Sequence, residues 1–239
     1  DEFFSMTREI LADWGVEAQV ISGDEEAALS FRGAVDDFHP EEGPFCVIDV
    51  GGGSTEVVVG DYDGTVHAAV SVPMGSVRLT ERFLVDSPPT PEQVKRAHDY
   101  VAGQVERVLA EVPVAGACAG TYTTLSALAQ GLETYDPSAI HLSTLRFSAL
   151  RSLNQSVLAT DRRTLAENPV MHPGRADVFA GGVMVIDGLM DMFEAVNAAA
   201  KEKGSRGDAV PLEFHVSEKD ILDGIVAGLI DEKLARAQQ

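Results

Sequence analysis

An α/β fold is predicted, and three observations carry the prediction. Three apolar runs separated by tight turns follow one another between Phe45 and Pro73 (FCVIDV, TEVVVGD, TVHAAVSVP), which reads as a three-stranded antiparallel meander. Helical periodicity then takes over, interrupted by two further short apolar strands, VAGACAG and LEFHVS. A glycine turn leads from the first of these directly into a helix.

In order along the chain, Ser5–Trp14 reads as a helix closed by Gly15. Residues 16–21 read as a strand, because alternation over VEAQVI follows a C-cap glycine. After the turn Ser22-Gly23, the acids Asp24, Glu25 and Glu26 open the apolar-periodic segment AALSFRGAV, at the positive end of a helix dipole. Residues 36–43 read as a loop before the meander. SVRLTERFLV is helical, and a second helix starts after Thr90, where Thr-Pro-Glu-Gln supplies an N-cap, a proline at N1 and a capping-box Gln93; it runs to Glu111. Beyond VAGACAG, GTYTTLSALAQGL enters a helix, and further helices start at Ser148, near Thr160 and at Gly174, the last running through Val196. A charged loop over 201–208, the strand LEFHVS and a final helix capped by Ser217, with Asp220 at N3, complete the chain.

From Phe45 this order is βββαβα, further helices, β, α. It resembles the ribonuclease-H-like fold shared by actin, sugar kinases and Hsp70 ATPase domains, which carry that fold twice with the ligand between the copies. One complete lobe is expected over 25–219, with helical insertions. Residues 1–24, joined by 220–239, are expected to be a remnant of the other.

Composition limits what the chain can act on. Hydrophobic residues are 45% of the 239 and charged residues 23%, which is globular composition with apolar surface for a sizeable core. Thirty-eight acids against 18 bases give a formal charge of −20, which argues against nucleic acid and anionic membranes as partners. An anionic ligand then needs local help from backbone N–H groups, a divalent metal and a few placed arginines. There is no apolar run of membrane-spanning length, and DEFFSMTREI has no signal-peptide character, so a soluble cytoplasmic protein is expected. Cys46 and Cys118 lie in apolar runs without CxxC spacing and read as buried thiols. The six histidines lack ligand spacing, so no zinc site is expected.

The first segment with chemistry is Asp49-Val50-Gly51-Gly52-Gly53-Ser54-Thr55-Glu56, at the first hairpin of the meander. Three consecutive glycines let backbone approach a phosphate closely and aim successive N–H groups at it. Asp49 and Glu56 flank the loop, where a hard cation bridging to phosphate oxygens would sit. A second segment, Gly116–Thr121, is a strand running into a helix start, with Gly120 and Thr121 at the turn; alone it reads equally well as a helix cap. In the third, Ser22–Ala27, Glu26 is a candidate general base, although acids at a helix start are ordinarily just solvated.

Together these segments resemble a family. SGDEEA, VIDVGGGSTEVVVGD, PMGSVRLTERF, GACAGTYTTL and PGRADVFAGG, in that order, are similar to the ordered signatures of the exopolyphosphatase and guanosine pentaphosphate phosphatase (Ppx/GppA) family, over nearly the whole chain. The resemblance implies that Glu26 is the base and that Asp49 and Glu56 handle the metal, magnesium or manganese. It implies that Gly51, Gly52, Gly53, Ser54 and Thr55 form one phosphate loop, Gly120 and Thr121 a second phosphate turn, and that Arg175 in PGRAD holds phosphate. The implied activity is metal-dependent release of terminal phosphate from inorganic polyphosphate. Hydrolysis of the 5′ γ-phosphate of guanosine pentaphosphate is an alternative, and a noncatalytic sensor of polyphosphate or of guanosine penta- or tetraphosphate is one of another class. A homodimer is allowed. Family members open with a first domain carrying a further phosphate motif, of which roughly seventy residues would precede Asp1. The chain also looks like a short form without the C-terminal HD-type helical region of long members.

Overall fold

The computed structural model describes residues 2–15, 21–114, 116–120, 122–172, 174–203 and 210–237. The strand expected over 16–21 lies mostly outside them.

Helix α1 (Glu2–Leu11) continues through a 3-10 turn (Ala12–Trp14) to Gly15, and α2 (Gly23–Val35) starts at Ser22, whose hydroxyl accepts from the Glu25 N–H. The meander is β1 (Phe45–Val50), β2 (Thr55–Gly60) and β3 (Val66–Val72). Next come α3 (Ser76–Phe83) and α4 (Pro91–Glu111), whose first turn has both reciprocal bonds of the Thr90–Gln93 capping box. Strand β4 (Ala117–Gly120) feeds α5 (Thr123–Ala129), followed by α6 (Pro137–Ile140), β5 (Thr144–Arg146), α7 (Phe147–Leu158), α8 (Arg162–Ala166), α9 (Phe179–Glu202), β6 (Glu213–Val216) and α10 (Ile221–Ala237).

The six strands form one sheet in the order β3-β2-β1-β4-β6-β5. The meander pairs are antiparallel, β1-β4 and β4-β6 are parallel, and β5 pairs antiparallel with β6. Without β5, this is a ribonuclease-H-like sheet, as the element order implies. Two cores lie on its two faces. The smaller joins Phe31, Val35 and Phe38 of α2 and the loop after it to Phe45, Val47 and Val58. The larger joins Cys46, Ile48, Val57 and Phe214 to α4 and α9 through Val101, Val105, Leu189 and Phe193. Both cysteines are buried free thiols. No helix among the described residues is long and apolar enough to cross a membrane.

Two expectations need correction, and one strand was not foreseen. The last helix begins at Ile221 and is capped by Asp220, whose carboxylate accepts from the Leu222 N–H while Asp223 accepts from the Asp220 N–H; Ser217 instead closes a local turn with the Lys219 N–H. Residues 174–178 form turns ahead of α9, which reaches Glu202. Strand β5 went unforeseen because three residues carry no period.

Helix α10 crosses α2 with backbone nearly touching backbone. A Cβ on Gly33 would run into the Asp220 carbonyl, and one on Gly224 into the Leu29 carbonyl. Lys219, just before α10, ties this crossing to the loop after α2 by ion pairs to Asp36 (2.9 Å) and Asp37 (2.8 Å), and Asp37 also meets His141 Nε2 at 2.9 Å. The Lys219 hydrogen bond holds the Asp37 carboxyl below its ordinary value of 3.8, and Asp37 in turn raises Lys219 above 10.5.

Two predictions follow from this packing. Gly33→Ala should destabilise the protein by about 1–3 kcal/mol through overpacking, whereas Gly103→Ala in α4, with nothing within 4 Å of the new methyl, should stabilise it by about 0.5–1 kcal/mol; urea unfolding midpoints check both. Lys219→Met should cost about 1 kcal/mol or less at neutral pH, since the pair is partly exposed. Asp37 is depressed, so its contribution is present above pH 3.8 and fades as pH falls through its lowered folded value. The gap in unfolding midpoint between wild type and Lys219→Met should therefore narrow below that pH; a gap unchanged at pH 2 would exclude the pair as its source.

Candidate active site

Strand alternation decides which face each meander side chain takes. In β1, Phe45 and Val47 enter the core under α2 while Cys46 and Ile48 enter the other, so Asp49 falls on the α2 face. In β2, Val58 lies on the α2 face and Val57 and Val59 on the other, which puts Glu56 on the α2 face as well. Register makes Asp49 and Glu56 direct cross-strand partners, with Ser71 of β3 opposite Glu56 and donating to its Oε1 at 2.7 Å. The first turn of α2 overhangs this face. Glu26, Ser30, Asp49, Ser54, Glu56 and Ser71 all line one cavity of about 430 Å³. The proposed base and both proposed metal carboxylates therefore share a cavity.

Among the described residues no three His, Cys, Asp or Glu side chains gather closely enough to hold a metal ion. Two carboxylates beside an open cavity still fit magnesium, which keeps several waters and takes further ligands from substrate phosphate.

The glycine loop is held by its carbonyls. The Gly51 N–H donates to the Ser54 carbonyl at 3.0 Å, closing the turn, while the Gly51 and Gly52 carbonyls accept from the N–H groups of Ser76 and Arg78, each at 3.0 Å, in the first turn of α3. Arg78 Nε adds a bond to the Gly53 carbonyl at 2.7 Å. With the carbonyls turned onto α3, the N–H groups of Gly52 and Gly53 have no partner among the described residues. Gly75 permits this docking, since a Cβ there would collide with the Gly52 backbone. Thr55 lies at the loop's end but is fully buried, and its hydroxyl donates to the Met74 carbonyl, so its side chain serves the fold.

A larger cavity of about 670 Å³ opens on the other side of the loop. Gly51, Gly52 and Ser76 form one wall, Tyr122, Thr123 and Thr124 at the uncapped start of α5 another, and Arg175, Glu218 and Asp220 also line it. Asp49 lines both cavities. Arg175 is exposed, and its Nη1 donates to the Thr124 hydroxyl, which fixes the guanidinium at the wall. Gly120 lies beneath the cavity, where a Cβ would meet the Ile48 carbonyl; its own carbonyl accepts from the Ser217 N–H. Thr121 lies outside the described residues.

Sequence reasoning missed Tyr122. It is 4% exposed, and its ring lies 4.8 Å from that of Phe214. Its buried hydroxyl has no hydrogen-bond partner among the described residues. Burial pushes this phenol well above its ordinary value, with the Cys118 and Cys46 thiols and Asp49 adding to the effect, so it stays neutral. Tyr135, whose hydroxyl donates to Glu218 Oε1 at 2.6 Å, was also missed. Only contacts distant in sequence bring either to the cavity.

The chain matches the Ppx/GppA phosphatase family over residues 1–211. It is 44% identical over 236 residues to Exopolyphosphatase 2 of Mycobacterium tuberculosis, covering 96% of this chain and 70% of that protein. Among solved structures, an exopolyphosphatase-like protein superposes with a TM-score of 0.82 at 35% identity, covering 95% of this chain and 71% of that one. The Aquifex aeolicus Ppx/GppA family member does so with a TM-score of 0.80 at 26% identity, covering 97% and 69%. Family model, sequence relative and folded neighbours agree with the motifs and the sheet, and the chain belongs to the Ppx/GppA phosphatase family.

Proposed function

We propose that this chain is an exopolyphosphatase, a phosphoanhydride hydrolase that releases terminal phosphate from inorganic polyphosphate. The observation that carries the reading is the position of Asp49, which joins a carboxylate-lined cavity holding Glu26 to the larger cavity walled by the glycine loop. The name of the Mycobacterium tuberculosis relative supports polyphosphate over guanosine pentaphosphate as substrate.

In this reading the terminal phosphate sits against the glycine loop at the Gly52 N–H, which has no partner among the described residues, with the first turn of α5 opposite and Arg175 at the side. Those donors are fixed before substrate arrives, so stabilising the developing charge needs no reorganisation. Asp49 and Glu56 would hold a magnesium ion, with manganese as a substitute, and the ion supplies charge neutralisation on the phosphate oxygens when bound. Glu26 orients a water and takes its proton as the water oxygen bonds to the terminal phosphorus. The bond from that phosphorus to the bridging oxygen breaks, and the shortened chain keeps that oxygen and its electron pair. Ser71 holds one Glu56 oxygen and leaves the other for the ion. Helix α1 with its 3-10 turn, and α10, which expose Trp14, Leu222, Val226 and Leu229, belong with the first of the two lobes, and 25–219 with the second.

Glu26→Gln should lower kcat for phosphate release by about 10²–10⁴-fold while leaving polyphosphate affinity within a factor of a few; near-normal turnover removes Glu26 from the mechanism. Asp49→Asn should raise the magnesium concentration needed for half-maximal rate by roughly tenfold or more, the size seen when metal-site groups are altered. Comparing wild-type rates on polyphosphate and guanosine pentaphosphate decides between substrates, and a faster rate on the nucleotide overturns the assignment.

A further inference from the structure

Beside the glycine loop, and sharing Gly52 with the larger cavity, lies a groove of about 560 Å³ lined by Gly52, Gly53, Val77, Arg78, Glu81 and Arg82. Arg78 and Arg82 are one helical turn apart on α3, hence on one face. Arg78 spends its Nε on the Gly53 carbonyl at 2.7 Å. Arg82 is stacked, with its guanidinium carbon 5.0 Å from the Phe83 ring centroid and 4.8 Å from that of Tyr100. Tyr100 is itself anchored by a 2.8 Å bond from its hydroxyl to the Pro73 carbonyl, so the stack has a fixed base. A stacked guanidinium keeps its N–H edge available in a set plane.

Acids outnumber bases 38 to 18 in this chain. Arg151, for comparison, is surrounded by Asp187, Asp191 and Glu194. Among the described residues neither Arg78 nor Arg82 has a carboxylate within ion-pair distance, and Glu81 is the only acid lining the groove. Two arginines oriented by a carbonyl and by aromatic rings, in a strongly acidic protein, form a local cationic track that begins at the phosphate loop.

Resting on the reading that the loop takes a terminal phosphate, we infer that Arg78 and Arg82 bind non-terminal phosphate groups of the same chain and so favour long polyphosphate over short. Planar N–H forks suit phosphate oxygens bidentately. The two arginines, four residues apart, are separated by about 6 Å along the helix axis, so a ligand needs several linked phosphates to reach from the loop to Arg82.

Arg82 is the better probe, because Arg78 also holds the loop. In Arg82→Ala, KM for long-chain polyphosphate should rise roughly tenfold, as expected for a lost charge-assisted contact, while KM for tripolyphosphate changes much less. Arg82→Lys should recover only part of the loss. Equal KM changes for both probes, or none for either, overturn the subsite with the hydrolase reading intact. If wild type releases phosphate from neither probe, the hydrolase reading fails. Calorimetric titration with the same long-chain polyphosphate then decides the subsite alone, which stands if Arg82→Ala weakens binding and falls if it does not. A thermal melt matching wild type shows that the variant is folded.

Discussion

The site depends on where three consecutive carbonyls point. Backbone in a glycine-rich turn can present either its oxygens or its N–H groups to the open side, and those two surfaces have opposite electrostatic sign. Here the Gly51 and Gly52 oxygens are taken by the first N–H groups of α3, and the Gly53 oxygen by Arg78. That single docking event satisfies otherwise orphaned donors at a helix start and leaves the opposite face of the loop positive. In a chain with a formal charge of −20, this supplies positive potential without spending a basic side chain on the loop's open face. Gly75, Thr55 and Met74 exist in their present form largely to let the loop and helix meet.

Much of the architecture was legible beforehand because it rests on local rules. The meander was written as alternating runs between turns, the Thr90 capping box fixed the start of α4, and the order of elements implied the sheet. The candidate residues were legible as types at a spacing, and alternation then explains why Asp49 and Glu56 share a face with Glu26. What could not be read depends on contacts far apart in sequence. Thr55 sits within a loop motif yet turns inward, because its strand phase points it at the larger core. Tyr122 and Tyr135 reach the cavity only through packing against Phe214 and the segment around Glu218. Arg78 stood in a recognised motif, but its grip on the Gly53 carbonyl is a tertiary fact. The final helix was placed too early because Ser217 and Asp220 are both good caps, and the backbone between them turns before it coils.

The crossing of α2 and α10 sets the frame around this chemistry. Gly33 and Gly224 let the two helices meet at backbone distance, and Lys219 fastens the approach by gripping Asp36 and Asp37. The segment thus held, 217–220, includes Glu218 and Asp220 on the wall of the larger cavity, and the Ser217 N–H bonds the end of β4. Glu26 lies on the same helix as Gly33. Packing at this crossing therefore positions residues on both sides of the glycine loop.

Asp49 gives the two cavities a common wall, and this has a thermodynamic consequence. On the proposed assignment, a cation on one side of that carboxylate and a phosphate on the other would both respond to the same charge, so occupancy of one cavity would alter affinity in the other. Linkage makes such an effect reciprocal: whatever factor the cation contributes to phosphate binding, phosphate must return to the cation. Neither ligand would then have an affinity of its own, and any dissociation constant measured for one would be a function of the concentration of the other.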